Sequence, residues 1–450
     1  MPTSREVNVN DLIDAGRLRG IQLGVILLCG LIATLDGFDL QSISFVAPVL
    51  TKLWGIKSAE LGPVFSASLA GLMIGALVSG PVADRVGRKA VVVVSVFAFG
   101  AFSLLTTLSG NVQELVVYRF LTGVGLGGSM PNVIALTAEY SPERLRRTLI
   151  TTMWFGVPIG VVAGGLLAAW MIPSFGWKSV FYLGGGVPVV IGLIALFGLP
   201  ESLRFLVNRG ARAERLAAVV KRLNPQLAVT PDTVFVLREQ RLAGLPVKHL
   251  FGHGYAVNTL LLWVAFFMNL FINYFVTNWM PTVLQKAGLP LSSSIVGLVM
   301  LEAGGLIGGV IIGRWGDRSD KNLKNILAWA LLLNAVAVVL IRYTHGEASL
   351  MMMLFITGLL FVGAQFGMNA VAATIYPTSI RSTGIGWALG VGRVGSIIGP
   401  LVGGAIVGFL PNPTEMFAVA AVPSLLGAIA LAVMKPERWT AAGAGAAVSR

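Results

Sequence analysis

The sequence is poor in charge, in histidine and above all in cysteine. Only 12% of the 450 residues are charged and 55% are hydrophobic, whereas about a quarter of the residues of a soluble protein are charged. Cys29 is the single cysteine and lies in an apolar run, which excludes a disulfide framework. His249, His253 and His345 are the three histidines and lie between apolar runs, so a proton carrier inside those runs must be a carboxylate.

Several motifs of energy-coupled or catalytic proteins are missing. The chain has no G-x-x-x-x-G-K-[ST] loop, which disfavours an ATP-driven pump. It has no nucleophile with an accompanying base and no cluster of metal ligands, so we expect neither an enzyme nor a bound cofactor. The formal net charge of +13 is not arranged as a basic face with interleaved aromatic residues, so no nucleic-acid partner is expected.

Apolar runs of membrane-spanning length repeat along nearly the whole chain. A β-barrel would instead show alternating ten-residue segments. The sequence therefore predicts an all-α integral membrane protein surrounded by lipid. Breaks at proline, glycine and charge clusters place twelve spans at 21–46, 59–83, 90–109, 113–139, 148–173, 178–199, 257–283, 293–316, 324–343, 348–376, 382–409 and 413–434.

Lysine and arginine lie mostly on one side of these predicted spans. Because such residues accumulate in cytoplasmic loops, we expect both termini in the cytoplasm and a multi-pass protein of the inner (plasma) membrane. The opposite side carries few basic residues, namely Lys52, Lys57, Lys178, Lys286 and Arg342. Residues 1–20 contain no short apolar stretch with a cleavage site and are predicted to be an uncleaved cytoplasmic leader.

Two short motifs occur once in each half of the chain. "GPVADRVGRK" at 80–89 is echoed by "GRWGDRSDK" at 313–321, and "YSPERLRRT" at 140–148 by "YPTSIRST" at 376–383. The sequence therefore predicts two six-span repeats of the same orientation, at 21–199 and 257–434, with a cytoplasmic linker at 200–256 and a tail at 435–450. This architecture suits a transporter that works by alternating access.

Specific stretches resemble the major facilitator superfamily. They are "GPVADRVGRK" after span 2, "RFLTGVGLGG" at 119–128 in span 4 and "PESLRFL" after span 6. "LDGFD" in span 1, the apolar stretch 260–281 in span 7 and "STGIGWALGVGRVGSIIGP" in span 11 further resemble the aromatic acid:proton symporter family. The resemblance implies uptake of a small aromatic carboxylate, such as a hydroxybenzoate, with protons. It also implies transport roles for Asp36, Asp39, Arg119 and Arg393.

Few ionisable residues lie inside the predicted spans, and such residues usually face the protein interior and mark function. Asp36 and Asp39 share one face of span 1, and Gly37 between them leaves room for a close neighbour. At about 1.5 Å per residue, Asp39 and Arg119 lie at similar depths and are able to meet. The aspartates are therefore predicted to be proton-coupling residues, although a purely structural link between spans 1 and 4 is the alternative.

Arg393 has no acid within one helical turn, and a planar guanidinium suits a carboxylate. We expect it to bind the substrate, unless it is permanently paired with Glu302 or with a span 1 aspartate. Glu302 itself is predicted to be either a proton site or a structural partner; relatives often have an uncharged polar residue or histidine there.

Further residues are assigned by position. Besides Arg393, the side chains predicted to line the substrate site are Arg119 and the aromatic and amide side chains Phe38, Asn269, Asn273, Tyr274, Gln365, Asn369 and Trp387. Charged residues predicted to form gating ion pairs at the cytoplasmic ends of spans are Asp84, Arg85, Arg88, Glu139, Arg147, Asp317, Arg318 and Arg381.

The main rival is an exporter or antiporter of drugs or organic anions on the same fold. "GSIIGPLVGG" at 395–404 is similar to an antiporter signature, but that signature belongs in span 5 and not in span 11. A sensor that binds without transport is a third class. The sequence leaves aliphatic diacids and sugars open as alternative substrates, although two intramembrane arginines favour an anion over a neutral sugar. We expect a monomer.

Overall fold

The computed structural model describes most of the chain. It covers residues 6–14, 18, 20–209, 216, 219–220, 222–223, 233–236, 247–252, 255–318, 323–376 and 380–435. Within these ranges the side chains of 6, 7, 9, 10, 234, 316–318, 373, 374 and 382 are not described.

Twelve helical segments in the described part are long and apolar enough to cross a membrane, which confirms the predicted all-α architecture. The helices of spans 1 to 6 are Gly20–Trp54, Ser58–Val86, Arg88–Thr106, Val112–Tyr140, Glu143–Trp154 with Gly156–Phe175, and Lys178–Gly198. The helices of spans 7 to 12 are Ala256–Lys286, Leu291–Arg318, Leu323–Leu340, Glu347–Ile375, Arg381–Phe409, and Glu415–Val419 with Ala421–Val433.

Span 1 is longer than its pattern predicts. The predicted end at 46 precedes Pro48, but the helix continues through this proline to Trp54. A proline removes one helical hydrogen bond, yet ending the helix within a membrane would expose several backbone groups to an apolar medium. Five of the described connections between spans contain a glycine with a positive φ, as at Gly87, whose φ of 101° disfavours other residues.

Short elements accompany the spans. The strand Glu6–Asn8 pairs in parallel with Val234–Val236, so the predicted leader and linker meet in a two-stranded sheet. The helix Val9–Asp14 follows the first strand, and Leu203–Asn208 and the 3₁₀ turn Val247–Leu250 lie in the predicted linker. The Asp14 carboxylate accepts a hydrogen bond of 2.6 Å from the Glu143 backbone N–H at the start of span 5, which ties the leader to the helices.

The residues form two compact units. The first contains Met1–Arg241, Tyr274–Ala303 and Ile397–Met416, and the second contains Leu242–Asn273, Gly304–Ser396 and Phe417–Arg450. Thus the second halves of spans 7 and 11 and the first half of span 8 belong with spans 1 to 6.

Polar contacts hold these added segments to the first unit. Lys286 Nζ donates to Ser58 Oγ at 2.5 Å, and Ser66 Oγ donates to the Ile397 carbonyl at 2.7 Å. The Trp279 indole N–H donates to the Pro400 carbonyl at 3.0 Å, at the point where Trp279 meets the ring of Phe65 edge-on. Span 2 is therefore packed against the second halves of spans 7 and 11.

One close helix contact occurs in both halves of the chain. A Cβ on Gly71 of span 2 would lie 2.1 Å from the Phe120 carbonyl oxygen of span 4. A Cβ on Gly304 of span 8 would lie 2.0 Å from the Phe355 carbonyl oxygen of span 10. Glycine lets the two backbones approach this closely, as is common between membrane helices. The internal repeat seen in the sequence thus has a structural counterpart within each unit.

Candidate functional site

The two aspartates of span 1 lie where spans 1 and 5 touch backbone to backbone. Asp36 is 3% exposed and Asp39 is 0% exposed. A Cβ on Gly37 would lie 2.0 Å from the Val157 carbonyl oxygen, and one on Gly160 would lie 1.9 Å from the Thr34 carbonyl oxygen. The glycine between the aspartates therefore brings span 5 against the acidic turn of span 1.

Gly37→Ala is expected to force spans 1 and 5 apart, because the new methyl group meets backbone that cannot rotate away. Overpacking of this kind costs about 1–3 kcal/mol, and transport should fall with it. Gly24→Ala in the same helix is the matched control, since nothing lies within 4 Å of a Cβ there. Thermal unfolding of both purified variants checks this, and equal midpoints would contradict the packing argument.

Asp39 is held by a buried ion pair with Arg119 of span 4. Arg119 NH2 donates to Asp39 Oδ2 at 3.1 Å and to the Asp39 carbonyl oxygen at 2.9 Å. Ser103 Oγ of span 3 donates to Asp39 Oδ1 at 2.6 Å, and Arg119 Nε donates to Ser68 Oγ of span 2 at 3.2 Å. A charge pair buried this deeply needs such additional hydrogen bonds to offset its desolvation.

Aromatic rings close this ion pair off. The Arg119 guanidinium lies 5.7 Å from the ring centre of Phe181 in span 6. The Phe38 side chain is buried, and a Cβ on Gly164 would lie 2.0 Å from its Cδ2 and one on Gly184 would lie 2.9 Å from its Cε1. Phe38, predicted to line the substrate site, therefore fills a slot between spans 5 and 6 beside Asp39.

Sequence reasoning missed Ser68, Ser103 and Phe181. Serines are common in helices of every kind, and a phenylalanine in an apolar run usually packs or faces lipid. The available signal was weak: hydroxyl groups in membrane helices tend to face other helices. Their contact with Asp39 and Arg119 depends on which faces of spans 2, 3 and 6 turn inwards.

Glu302 of span 8 is also buried in the first unit, with 8% of its surface exposed. It follows by one turn Val299, whose Cγ2 would lie 2.5 Å from a Cβ on Gly165 of span 5. No hydrogen bond or ion pair joins the Glu302 side chain to a described residue of its unit. Within the described ranges, no three His, Cys, Asp or Glu side chains are placed to hold a metal ion.

Arg393 lies in the second unit at a close approach of spans 7 and 11. A Cβ on Gly392 would lie 3.2 Å from the Phe266 carbonyl oxygen, and one on Gly395 would lie 2.4 Å from the Phe267 carbonyl oxygen. The Arg393 side chain is half-buried, and its guanidinium forms no ion pair with a described residue of that unit.

The other predicted lining residues differ in exposure. In span 7, Asn269 is buried and donates from Nδ2 to the Phe361 carbonyl at 3.2 Å, whereas Asn273 and Tyr274 are half-buried. In span 10, Gln365 is half-buried and Asn369 is exposed. Trp387 of span 11 is exposed and stacks on Trp263 with ring centres 5.9 Å apart. The structure thus places Asn269, Asn273, Gln365, Asn369, Trp387 and Arg393 in one unit and Tyr274 in the other.

A second ion-pair cluster lies where spans 3 and 4 meet the end of span 6. The buried carboxylate of Glu139 accepts a hydrogen bond from Arg88 and lies 3.9 Å from Arg204 Nε. The Tyr140 hydroxyl donates to the Glu201 carbonyl at 2.7 Å. Asp84 and Arg85, also predicted to be gating residues, are exposed.

At the ends of spans 4 and 10, an arginine that follows the span donates a hydrogen bond back to a carbonyl near the end of that span. Arg146 Nε donates to the Ala138 carbonyl at 3.1 Å, and Arg381 Nε donates to the Tyr376 carbonyl at 3.3 Å. Arg147, which like Arg381 is predicted to be a gating residue, is exposed. The sequence does not distinguish Arg146 from Arg147. The direction of the helix of span 5 decides which of the two side chains reaches the end of span 4. The side chains of Asp317 and Arg318 lie outside the described residues.

The helical architecture agrees with comparisons to known proteins. The family model of the Major Facilitator Superfamily matches residues 29–324 and 298–448. The chain belongs to this superfamily. It is accordingly a multi-pass membrane transporter and not an enzyme.

Curated relatives of this transporter match it over nearly their whole lengths. It is 39% identical to the 4-hydroxybenzoate transporter PcaK of Pseudomonas aeruginosa, covering 96% of each chain. It is 38% identical to the gallate transporter of Pseudomonas putida, covering 96% of this chain and 95% of that one. It is 36% identical to the benzoate transport protein of Acinetobacter baylyi, covering 97% and 94%. All three of these relatives are transporters named for aromatic acids.

Solved structures agree on the fold. The crystal structure of a D-xylose-proton symporter matches with a TM-score of 0.71 at 17% identity, covering 92% of this chain and 98% of that one. A bacterial homologue of the human lysosomal transporter Spinster, in an inward-facing and occupied conformation, matches with a TM-score of 0.70 at 16% identity, covering 91% and 94%.

Proposed function

We propose that this transporter imports a small aromatic carboxylate of the hydroxybenzoate type together with protons, by alternating access. The observation that carries the proposal is Arg393, a half-buried cation within a span and without an ion pair to a described residue of its unit. A cation at such a position favours an anionic ligand. The relatives named for 4-hydroxybenzoate, gallate and benzoate support an aromatic acid as that anion.

Arg393 binds the carboxylate group of the substrate in this proposal. Its planar guanidinium donates two parallel hydrogen bonds to a carboxylate, which a lysine ammonium does not do. Gly392 and Gly395 hold its helix against span 7, so the guanidinium projects from a tightly packed backbone.

Asp36 carries the proton. Asp39 is a less suitable carrier because its carboxylate is already engaged by hydrogen bonds from Arg119 and Ser103. Asp36 lies one turn earlier on the same face and is also buried, next to Gly37, which approaches span 5. Glu302 is the candidate for a second proton. Importing an anion against a negative interior costs about 2.3 kcal/mol per 100 mV, so one proton cancels this cost and a second makes uptake voltage-driven.

The orientation follows from the basic loops. Lysine and arginine concentrate on the side where both termini lie, so we place both termini in the cytoplasm and the protein in the inner membrane. The cluster of Arg88, Glu139 and Arg204 then lies at the cytoplasmic ends of spans 3, 4 and 6. We assign it a gating role, in which its ion pairs form in one state and break in the other.

The test is uptake of labelled 4-hydroxybenzoate into proteoliposomes containing the purified protein. Accumulation driven by an inward proton gradient and abolished by a protonophore supports the proposal. Absence of accumulation under every gradient, with efflux from preloaded vesicles, would instead identify an exporter. Binding without flux in either direction would identify a sensor.

Arg393→Lys is expected to weaken binding of 4-hydroxybenzoate about tenfold to a hundredfold, because the charge remains but the paired hydrogen bonds are lost. Arg342→Lys is the matched control, since Arg342 is exposed at the end of span 9. Equilibrium binding to the purified proteins measures the effect. Equal affinities of Arg393→Lys and wild type would remove Arg393 from the carboxylate site.

A further inference from the structure

Asn269 of span 7 is buried with only half of its amide group satisfied. The side chain is 1% exposed, and Nδ2 donates to the Phe361 carbonyl of span 10 at 3.2 Å. A carbonyl only accepts hydrogen bonds, so this contact fixes which end of the amide is the NH₂ group. The Oδ1 atom therefore points elsewhere, and no described residue donates a hydrogen bond to it.

A second amide oxygen lies one turn away. Gln365 follows Phe361 by four residues in span 10, so both residues lie on one face of the helix. Its Oε1 atom is buried and receives no hydrogen bond from a described residue. Buried polar atoms without partners are uncommon in folded proteins and are costly unless a ligand or water satisfies them. Spans 7 and 10 thus present two neighbouring acceptors in need of a donor.

These acceptors lie at the level of Arg393. A Cβ on Gly392 would lie 2.7 Å from Leu270 Cδ1 and 3.2 Å from the Phe266 carbonyl oxygen. Asn269 belongs to this same stretch of span 7, between Phe266 and Leu270. Arg393, Asn269 and Gln365 all belong to the second unit. A cation for a carboxylate and two acceptors for a donor therefore share one region of that unit.

We propose that a ring hydroxyl of the substrate donates its one hydrogen in a bifurcated hydrogen bond shared by Asn269 Oδ1 and Gln365 Oε1. This inference rests on the proposed function, because it takes the carboxylate of an aromatic acid to be bound by Arg393. The site selects hydroxylated benzoates over benzoate: a hydroxyl supplies the missing donor, whereas a bare ring edge leaves both buried oxygens unsatisfied.

Asn334 of span 9 provides a matched control. Asn334 is also a buried asparagine in which only the NH₂ group is hydrogen-bonded. Its Nδ2 donates to Ser424 Oγ of span 12 at 3.0 Å, whereas its Oδ1 receives no hydrogen bond from a described residue. It links spans 9 and 12 and not spans 7 and 10. Its replacement by leucine therefore reproduces the chemical change at Asn269 without touching the proposed hydroxyl site.

The experiment measures equilibrium binding of 4-hydroxybenzoate and of benzoate to the purified full-length protein. We expect the wild type to prefer 4-hydroxybenzoate about tenfold. Asn269→Leu and Gln365→Leu should each reduce this ratio towards one, with the affinity for benzoate kept within about twofold. Asn334→Leu should keep the wild-type ratio. Retained benzoate binding shows that each variant is folded. Because Gln365 is only half-buried, its replacement is expected to disturb folding less than that of Asn269.

Two results would overturn the inference while leaving the proposed function intact. One is a wild type that binds both acids equally, and the other is an unchanged ratio in both Asn269→Leu and Gln365→Leu. If the wild type binds neither acid, the proposed function fails and this inference fails with it. A ratio lowered equally by Asn334→Leu would mean that the effect is an indirect consequence of destabilisation, and would also overturn it.

Discussion

Arg119→Leu should abolish transport and destabilise the protein by about 3–5 kcal/mol, because it leaves the Asp39 carboxylate buried without its charge partner. Asp39 and Arg119 are both fully buried, and their contact joins spans 1 and 4 within the first unit. Ser103 donates a hydrogen bond to Asp39, and Ser68 accepts one from Arg119, but neither serine carries a charge that could replace the lost guanidinium. Thermal unfolding and proteoliposome uptake measure the two effects.

The double variant Arg119→Leu/Asp39→Asn separates stability from transport. Removing both charges also removes the cost of an unpaired buried charge, so most of the lost stability should return. Transport should not return if the pair organises the proton and substrate sites. Uptake restored in the double variant would show that the pair serves only to hold spans 1 and 4 together. Unchanged stability in Arg119→Leu alone would contradict the buried ion pair itself.

Asp36→Asn should abolish accumulation driven by a proton gradient while keeping exchange of substrate across the membrane. Without a titrating group, the transporter moves the anion without the compensating proton. For each net positive charge that crosses with the substrate, a membrane potential of 100 mV raises the inside-to-outside ratio of substrate about 50-fold, and the variant should lose this accumulation. Counterflow of labelled against unlabelled 4-hydroxybenzoate, compared with gradient-driven uptake, measures both activities in the same vesicles.

Asp39→Asn and Glu302→Gln are the comparison variants for Asp36→Asn. Asp39→Asn should lose counterflow as well as accumulation, since Arg119 is then left buried without its carboxylate. Glu302→Gln should lower accumulation without abolishing it if Glu302 carries a second proton. Full accumulation by Asp36→Asn together with its loss in Glu302→Gln would transfer the role of principal proton carrier to Glu302.

Particular residues show what the pattern of the sequence reveals about the site. Asp36, Asp39, Arg119 and Arg393 stand out because a charge in a membrane span is costly, so its position alone marks it as a functional candidate. Similar depth in spans 1 and 4 predicted that Asp39 and Arg119 are able to meet, and the structure places them 3.1 Å apart. Ser103 is equally in contact with Asp39, but an uncharged hydroxyl leaves no comparable mark.

The sequence by itself determined the membrane class, the twelve spans and the internal repeat. These properties follow from apolar length, from charge at the loops and from recurrence of short motifs, all of which are local. It also determined where intramembrane charges occur, and its motifs carried the family resemblance. The two three-residue strands and the length of span 1 beyond Pro48 were not predictable in this way.

Only the tertiary structure decided which neighbours these residues meet. It placed Phe38 in a slot beside Asp39 and turned Arg146, and not Arg147, back onto span 4. In the structure the amide of Asn269 also joins spans 7 and 10, and its oxygen receives no hydrogen bond from a described residue. The physical reason is that the spans are apolar almost all round, so periodicity does not reveal which face turns inwards; that is decided by glycine contacts and buried polar partners between helices distant in sequence.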